Sequence, residues 1–269
     1  MHYSIILILG LVVGSFINVL IYRIPRDIGF ISGRSSCPKC NKKIPWYGLI
    51  PLFSFIWLNR KCLYCKNPIS WIYPLIELSS GIVFMLVAIL LFNPFSGYGL
   101  VPWLFYSMFI ALMLALFVID FRHMILPDSI LLAILSFFTL YILAINFLGI
   151  TDGIQLGIGI TGRLLGIGII SGPLFLLWFF SRGQAIGFGD IKLLALLGLI
   201  FGLKGVLTVF YLSLVSGAIA GIIIIALGKG GAKTKIPFGT FITASASIYL
   251  FVWQKALFYL NDIFLKAFT

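Results

Sequence analysis

Two aspartates of this chain border apolar runs, where a partly buried carboxylate could do chemistry. Asp190 follows two glycines in the sequence Gly187-Phe188-Gly189-Asp190, and Asp120 ends an earlier apolar run. Only seven residues of the chain are acidic, and acids at the edge of a membrane usually have a function. If the two carboxylates meet, they share one proton, because both cannot ionise cheaply. The ionised member can then take a proton from water while the other hydrogen-bonds a carbonyl oxygen, as in aspartic proteolysis.

Five further residues could support this pair. Gly187 and Gly189 allow unusual backbone angles and the close approach of a substrate chain, and Lys192 could bias the charge of the aspartates. Glu77 lies inside an apolar run. Two roles are open for it, a place in the site or a structural hydrogen bond to a neighbouring helix. Asp128 is predicted to cap the helix that follows it.

All four cysteines lie in one polar, basic segment, 23–72. They form two Cys-x-x-Cys pairs, Cys37 with Cys40 and Cys62 with Cys65. Two such pairs at this separation are typical of a zinc ribbon, in which each pair turns two thiolates toward one ion. Two disulfides and idle thiols are the alternatives, and a reducing cytoplasm disfavours the disulfides. Four protein ligands leave no open coordination position, so the predicted zinc is structural rather than catalytic.

The composition indicates an all-α, polytopic membrane protein embedded in the lipid bilayer. Hydrophobic residues make up 61% of the chain, mean hydropathy is +1.16 and 10% of residues are charged, whereas soluble domains are about a quarter charged. The net charge of +12 is attributed to basic residues that orient the spans and lie against anionic lipid, and not to nucleic-acid binding. We divide the chain into a first helix over 1–22, a cysteine-containing insertion over 23–72 and a membrane-embedded core over 73–269.

About eight transmembrane spans are expected, since each needs roughly 20 apolar residues. Their predicted bounds are 4–22, 73–92, 101–119, 129–149, 162–180, 191–203, 205–227 and 238–260. The sixth span is short, so it is expected to tilt, to lie partly sunk in the membrane or to run on through Lys204. Glycines at four-residue spacing in the fifth span indicate close helix packing, and Arg163 is expected to reach the outer interface.

The basic residues predict how these spans are oriented. With the N-terminus outside, the cytoplasmic segments are 23–72, 120–128, 181–192 and 228–237, and they hold 15 of the 19 Lys and Arg residues. Short cytoplasmic loops carry such an excess of positive charge. This orientation puts both aspartates at the cytoplasmic face and the cysteines in the reducing compartment.

Two other classes of function are open on these residues alone. Intramembrane acids also mark ion or proton paths, so a proton- or ion-coupled transporter is the main alternative. Transporters often contain two related halves, and no internal repeat is evident in this sequence. A membrane scaffold that docks partners through its zinc loop is the third class, but it leaves Asp120 and Asp190 without a role.

Short motifs along nearly the whole chain match one known family. They lie at 14–19, 22–25, 37–40, 44–47, 62–65, 69–70, 73–77, 120, 126–128, 187–194 and 236–239. By the order and number of these motifs, the chain resembles the type IV prepilin peptidases, also called prepilin leader peptidases, which are membrane aspartic proteases of the Gly-x-Gly-Asp class.

The resemblance implies eight helices with a cytoplasmic zinc-binding insertion between the first two. It implies a protein of the bacterial cytoplasmic (inner) membrane whose active site faces the cytoplasm. The expected activity is endopeptidase removal of the short basic leader from prepilins or pseudopilins. Asp120 and Asp190 are the catalytic pair that the resemblance implies, and Asp128 is a weaker candidate.

Many members of this family also methylate the new N-terminus with S-adenosylmethionine. The chain departs from the family pattern at two places in its N-terminal part. Gly48-Leu49 replaces a polar pair, and Ile72 stands where arginine is common. Since methylation is associated with that part of the family's chain, both departures bear on methylation more than on proteolysis.

Overall fold

The structure, a computed structural model, describes residues 2–30, 33–97, 99–150, 158–228 and 236–252. These residues are mainly α-helical, as predicted, and within the described ranges the only strand-like pairing is two isolated bridges, Ser36 with Lys43 and Lys61 with Pro68. The helices are α1 (His2–Arg23), α2 (Phe53–Trp57), α3 (Ile72–Leu90), α4 (Leu100–His123), α5 (Asp128–Leu148), α6 (Ile160–Phe180), α7 (Phe188–Ala226) and α8 (Phe238–Val252).

Six of the described helices are long and apolar enough to cross a membrane: α1, α3, α4, α5, α6 and α7. The multi-pass membrane architecture is thereby supported. Helix α8 is apolar but shorter over its described part. The remainder of the predicted eighth span, 253–260, lies outside the described residues, as does most of the predicted cytoplasmic segment 228–237.

Helix α7 contains both the sixth and the seventh predicted spans. Its 39 residues are interrupted at Gly202, whose backbone angles are φ 67° and ψ −174°, so two helices meet there at a kink. A positive φ is readily adopted by glycine, which has no Cβ. The break therefore falls at Gly202 rather than at the predicted boundary, Lys204, and the short sixth span does run on directly into the seventh.

The protein consists of two compact units, Met1–Ala115 and Leu116–Thr269. In the first unit, α1 and α3 pack closely because glycines face the partner helix. A Cβ added to Gly10 would lie 2.7 Å from the Gly81 Cα, and one added to Gly14 would lie 2.7 Å from the Glu77 Cα. This contact places Glu77 on the face of α3 that meets α1. The segment between the two helices forms turns, the short α2 and the cysteine cluster.

In the second unit, α6 and α7 approach at a pair of glycines. A Cβ added to Gly166 would lie 2.6 Å from the Gly198 carbonyl oxygen. The predicted glycine packing is thus confirmed at Gly166, whereas Gly168 and Gly172 face open space. Arg163 donates a 2.7 Å hydrogen bond to the Leu199 carbonyl oxygen. Its guanidinium therefore satisfies a carbonyl just before the kink of α7, where the intrahelical ladder is interrupted.

Candidate active site

Asp120 lies in the last turn of α4 and is almost fully buried, with 4% of its surface exposed. Its Oδ2 atom accepts two hydrogen bonds from Thr240, one from the backbone N–H at 2.6 Å and one from the hydroxyl at 2.9 Å. Thr240 is in the first turn of α8. Backbone N–H groups there have no partner inside the helix, and the helix dipole favours a negative charge. The N-terminus of α8 therefore supplies hydrogen-bond donors for this carboxylate.

Gly239 makes the close approach of α8 to Asp120 sterically feasible. A Cβ at this position would lie 3.0 Å from the Asp120 Cγ and 2.9 Å from the Leu126 Cδ1. Leu126 also contacts the start of α7, since a Cβ on Gly189 would lie 3.0 Å from the Leu126 Cβ. The end of α4, the loop after it and the first turns of α7 and α8 thus converge around Leu126.

Asp190 lies in the first turn of α7 and is half-buried. Its backbone N–H donates a 3.2 Å hydrogen bond to the Gly187 carbonyl oxygen. A Cβ on Gly187 would lie 3.1 Å from the Asp190 Oδ2, so only glycine leaves that side of the carboxylate open. The start of α7, which carries Asp190, and the N-terminus of α8, which holds Asp120, both meet Leu126. The structure therefore places the two aspartates that the sequence analysis paired in the same part of the second unit.

One predicted reason for the two glycines, unusual backbone angles, is wrong. Gly187 has an ordinary extended backbone, with φ −72° and ψ 136°, and Gly189 is not among the residues with positive φ. Unusual backbone angles are therefore not why glycine is needed here. Both glycines instead provide space, Gly187 beside Asp190 and Gly189 against Leu126.

The expected helix cap at Asp128 is wrong. Asp128 is the first residue of α5, Pro127 occupies the capping position, and no side chain caps this helix. The Asp128 carboxylate instead accepts hydrogen bonds of 2.7 and 2.8 Å from Lys192 Nζ. A full positive charge attracts the carboxylate more strongly than a solvated backbone N–H does. Lys192 was expected to bias the charge of Asp120 and Asp190. Its ammonium group instead pairs with Asp128.

Glu77 belongs to the first unit and has 9% of its surface exposed. Its Oε2 accepts a 2.9 Å hydrogen bond from the Leu52 backbone N–H. Leu52 has a positive φ of 60°, a conformation that is unfavourable for a leucine. Glu77 thus links α3 to the backbone of the cysteine-containing segment, whereas the predicted partner was a neighbouring helix.

The four cysteines form a cluster that fits a metal ion. Their sulfur atoms all lie within 4.8 Å of one another, and Cys37 Sγ is 3.8 Å from Cys65 Sγ. Four sulfurs bound to a tetrahedral zinc at about 2.3 Å lie about 3.8 Å apart. All four cysteines are free thiols, which disfavours the disulfide alternative.

Both cysteine pairs are shaped by the same kind of turn. The Cys37 N–H donates to the Lys42 carbonyl, and the Cys62 N–H donates to the Asn67 carbonyl. Hydrogen bonds from the Asn67 backbone and from its side-chain amide lower the pKa of Cys65 to about 6. A thiolate at neutral pH is the form that binds a metal. The residues present therefore suit a zinc ion, which would be held by Cys37, Cys40, Cys62 and Cys65.

Sequence analysis did not single out Thr240 as a site residue. The stretch 236–239 was recognised as a motif, and a proline followed by the start of an apolar run is a signal for a helix N-terminus. That signal predicts unpaired N–H groups at Thr240. It could not reveal that Asp120, 120 residues away, is the acceptor.

Fold and site together define a multi-pass α-helical membrane protein with two neighbouring aspartates and a four-cysteine cluster of metal-binding type. Two family descriptions match this chain. The Bacterial Peptidase A24 N-terminal domain matches residues 8–91, and the Type IV leader peptidase family matches residues 107–222. The chain belongs to the type IV leader peptidase family.

Several relatives are similar over most of their length, and each is named prepilin leader peptidase/N-methyltransferase. The protein from Burkholderia pseudomallei (strain K96243) is 33% identical, over 93% of this chain and 85% of its own. The protein from Bacillus subtilis (strain 168) is 31% identical, over 96% and 98%. The protein from Aeromonas salmonicida (strain A449) is 30% identical, over 98% and 95%. No solved structure matches the chain.

Family membership establishes this protein as a peptidase of the bacterial inner membrane. The transporter alternative gains no support, because the relatives above are named as peptidases.

Proposed function

We propose that the protein is an aspartic endopeptidase that removes the N-terminal leader of type IV prepilins or pseudopilins at the cytoplasmic face of the membrane. Asp120 and Asp190 are the catalytic pair. The observation that carries this proposal is that the buried Asp120 accepts two hydrogen bonds from Thr240, beside Leu126, which also meets the first turn of α7 that carries the more exposed Asp190. Relatives named prepilin leader peptidase supply the substrate class.

The two aspartates have different environments, which suggests different roles. Asp120 receives two hydrogen bonds at the N-terminus of α8, and such bonds favour the ionised carboxylate. Asp120 is therefore the base that takes a proton from the attacking water. Asp190 carries the shared proton and donates a hydrogen bond to the oxygen of the scissile carbonyl.

Bond making and breaking then follow the usual course of aspartic proteolysis. The water oxygen bonds to the carbonyl carbon, giving a tetrahedral intermediate whose oxygen holds the proton that Asp190 supplied. That oxygen then returns its proton to Asp190 as the carbonyl re-forms. The carbon–nitrogen bond breaks, and the leaving nitrogen receives the proton that Asp120 took from water. The open side of Asp190 beside Gly187 is where the substrate backbone approaches.

The remaining parts of the chain position this site in the membrane. We propose eight crossings with the N-terminus outside, on the grounds that 15 of 19 basic residues then fall in cytoplasmic segments and that α7 contains two helices joined at Gly202. The layout is a first helix over 1–22, a zinc-binding insertion over 23–72 and a peptidase core over 73–269. The zinc is structural. The relatives' names also support N-methylation of the new N-terminus, and the proposed methyl donor is S-adenosylmethionine.

The decisive experiment combines the purified protein, a purified prepilin and S-adenosylmethionine, and measures the mass of the product. Loss of the leader mass is the expected result, and a further gain of one methyl group would add methylation. Cleavage by the wild-type protein but not by Asp120→Asn or Asp190→Asn supports the assigned pair. Full cleavage by either variant would contradict the assignment of Asp120 and Asp190 as the catalytic pair.

A further inference from the structure

The short helix α2 has two faces of different character. Phe55 and the neighbouring Leu58 face the interior of the cysteine-containing segment, where Phe55 is buried and both side chains line an internal cavity. Phe53, Ile56 and Trp57 lie on the opposite face, because residues three and four positions apart share one side of a helix. These three residues are 51%, 73% and 66% exposed. Three large apolar side chains thus lie together on the surface of an otherwise polar and basic segment.

The apolar face of α2, made of Phe53, Ile56 and Trp57, has no part in the functions described above. The rings of Phe53 and Trp57 meet edge-on with 5.2 Å between their centroids, so they form one continuous surface. Single apolar residues on a protein surface are ordinary, but contiguous ones mark contact with a partner or a membrane. The proposed catalytic pair, Asp120 and Asp190, belongs to the second unit. The apolar face therefore needs an explanation of its own.

Contacts within the first unit place α2 beside the first turns of α3. The rings of Phe55 and Trp71 have 5.1 Å between their centroids, and Trp71 directly precedes α3. The Leu52 backbone N–H, at the start of α2, donates to Glu77. Glu77 is in the second turn of α3, which corresponds to about 7.5 Å along the helix axis. Because α3 is long and apolar enough to cross a membrane, α2 lies at the level where this span enters the bilayer.

Trp71 and Arg60 have the chemistry of interfacial anchors. Tryptophan is enriched where membrane helices enter the headgroup region, and Trp71 is exposed at the start of α3. The Arg60 guanidinium lies 4.7 Å from the centre of the Trp71 ring. Lys61 follows, and both basic residues are exposed. Arginine and lysine bind phosphate oxygens through charge-assisted hydrogen bonds, so cationic groups accompany the apolar face at the same end of α3.

The charge of the cysteine-containing segment indicates which surface would suit it. Residues 23–72 contain nine Lys and Arg residues and one acidic residue, Asp27. Exposed aromatic and aliphatic side chains among basic residues are complementary to a membrane that contains anionic phospholipid. An acidic protein would match the charge of the segment, but it would not account for the position of α2 beside the start of a span.

We propose that α2 is an interfacial membrane anchor. Its apolar face inserts into the headgroup region of the bilayer that α1 and α3 cross, and Arg60 and Lys61 pair with the phosphates of anionic phospholipids. The cysteine-containing segment is then held against the membrane surface at a third point, in addition to its connections to α1 and α3. This role is independent of the proposed proteolysis.

The test measures the quenching of Trp57 fluorescence by brominated lipids. The full-length protein is reconstituted into vesicles of phosphatidylethanolamine and phosphatidylglycerol, with bromine placed either near the headgroup or near the chain ends. Bromine quenches tryptophan at short range, and the emission of Trp57 is the difference between the wild type and Trp57→Phe. We expect strong quenching of this difference emission by the shallow bromines and weak quenching by the deep ones, because interfacial helices lie about 5–10 Å into the headgroup and acyl boundary.

Ile56→Asp should remove most of the quenching of Trp57, because it places a negative charge in the middle of the apolar face. The Trp57 emission of this variant is again obtained by difference, with Trp57→Phe added to it. Asn93→Asp is the matched control, since it adds the same charge beyond the other end of α3. An aspartate there also keeps the acceptor for the Phe95 N–H. This control should leave the quenching of Trp57 unchanged.

The lipid headgroup is tested in the same vesicles. Replacement of phosphatidylglycerol by phosphatidylcholine should weaken the quenching of Trp57 in the wild type. The double variant Arg60→Gln/Lys61→Gln should be quenched less than the wild type in anionic vesicles, and its quenching should no longer depend on the headgroup. Equal quenching of the wild type with and without phosphatidylglycerol would contradict the pairing with anionic lipid.

The proposal is overturned if neither brominated lipid quenches Trp57, if the deep bromines quench it more than the shallow ones, or if Ile56→Asp and Asn93→Asp have the same effect. Protection of Trp57 from bromine that grows with protein density in the vesicles would assign the apolar face to a second copy of this chain, and would overturn the anchor as well. The comparison of the wild type with Trp57→Phe decides the question even if Ile56→Asp does not fold.

Discussion

The backbone N–H of Thr240 donates a 2.6 Å hydrogen bond to the Oδ2 atom of Asp120. The Thr240 hydroxyl donates a second one to the same oxygen, at 2.9 Å. The first of these bonds exists for any residue at position 240 that can start the helix, but the second requires a hydroxyl group. This difference separates the contribution of the side chain from that of the backbone.

Thr240→Val should therefore lower cleavage without abolishing it. A hydrogen bond to a charged group contributes about 1.5–3 kcal/mol, which corresponds to about a 10- to 100-fold loss in kcat/KM. The measurement is the rate of leader removal from a purified prepilin. Thr243→Val is the matched control, because the Thr243 hydroxyl is buried in the same helix and bonds only to the carbonyl oxygens of Gly239 and Thr240. Equal losses in both variants would contradict a specific role for Thr240.

Replacement of either proposed catalytic aspartate by asparagine should abolish cleavage. Each substitution keeps the size of the side chain but removes the group that exchanges the proton, and such groups contribute about 100- to 10,000-fold. Single-turnover cleavage at enzyme excess measures the residual rate. Protein levels in the membrane should match those of the wild type, and a variant of Asp120 or Asp190 that retains more than a tenth of the rate would rule out the pair.

Asp128→Asn should retain substantial cleavage. The side chains of Lys192 and Asp128 are 37% and 63% exposed, and exposed ion pairs contribute about 0.2–1 kcal/mol. A double-mutant cycle with Lys192→Met should give a coupling free energy of less than about 1 kcal/mol in thermal unfolding. Complete loss of cleavage in Asp128→Asn would instead move Asp128 into the catalytic pair.

Local spacing predicted the parts of this site that are built from neighbouring residues. The cysteine cluster formed as expected because each Cys-x-x-Cys turn is determined within a few residues, and two such turns need only meet. Asp120 and Asp190 were predicted to meet because each borders an apolar run, and they do lie at the end of α4 and the start of α7. Because helices in a membrane must cross the bilayer, the position of a residue within its span predicts its depth in the membrane. Residues predicted at the same depth are therefore candidates for one site.

Contacts that depend on tertiary packing were not predictable in the same way. Asp128 has the residue type and position of a helix cap, but Lys192 from α7 competes for its carboxylate. Thr240 has no feature in the sequence that identifies Asp120 as its partner. The break in α7 falls at Gly202 and not at the nearby charged residue Lys204, because backbone freedom decides the kink and a lysine can extend toward the interface.

Gly239→Ala should impair catalysis by displacing Asp120. The added Cβ would lie 3.0 Å from the Asp120 Cγ and 2.9 Å from the Leu126 Cδ1, so α8 or the carboxylate must shift. Small displacements of catalytic groups cost about 100-fold in rate. Gly168→Ala is the control, since a Cβ there meets nothing within 4 Å. Unchanged cleavage in Gly239→Ala would show that close approach of α8 is unimportant.

Metal content tests the cysteine cluster independently of proteolysis. Purified wild-type protein should contain about one zinc ion per chain, and Cys65→Ser should contain far less, because a structural site needs all four ligands. Asn67→Ala removes the side-chain donor 3.4 Å from Cys65 Sγ and should weaken zinc about tenfold or more, as other outer-shell substitutions do. Tyr64→Phe, next to the ligand but without a sulfur contact, serves as the control. Metal-free wild-type protein that is fully folded and active would defeat the structural zinc assignment.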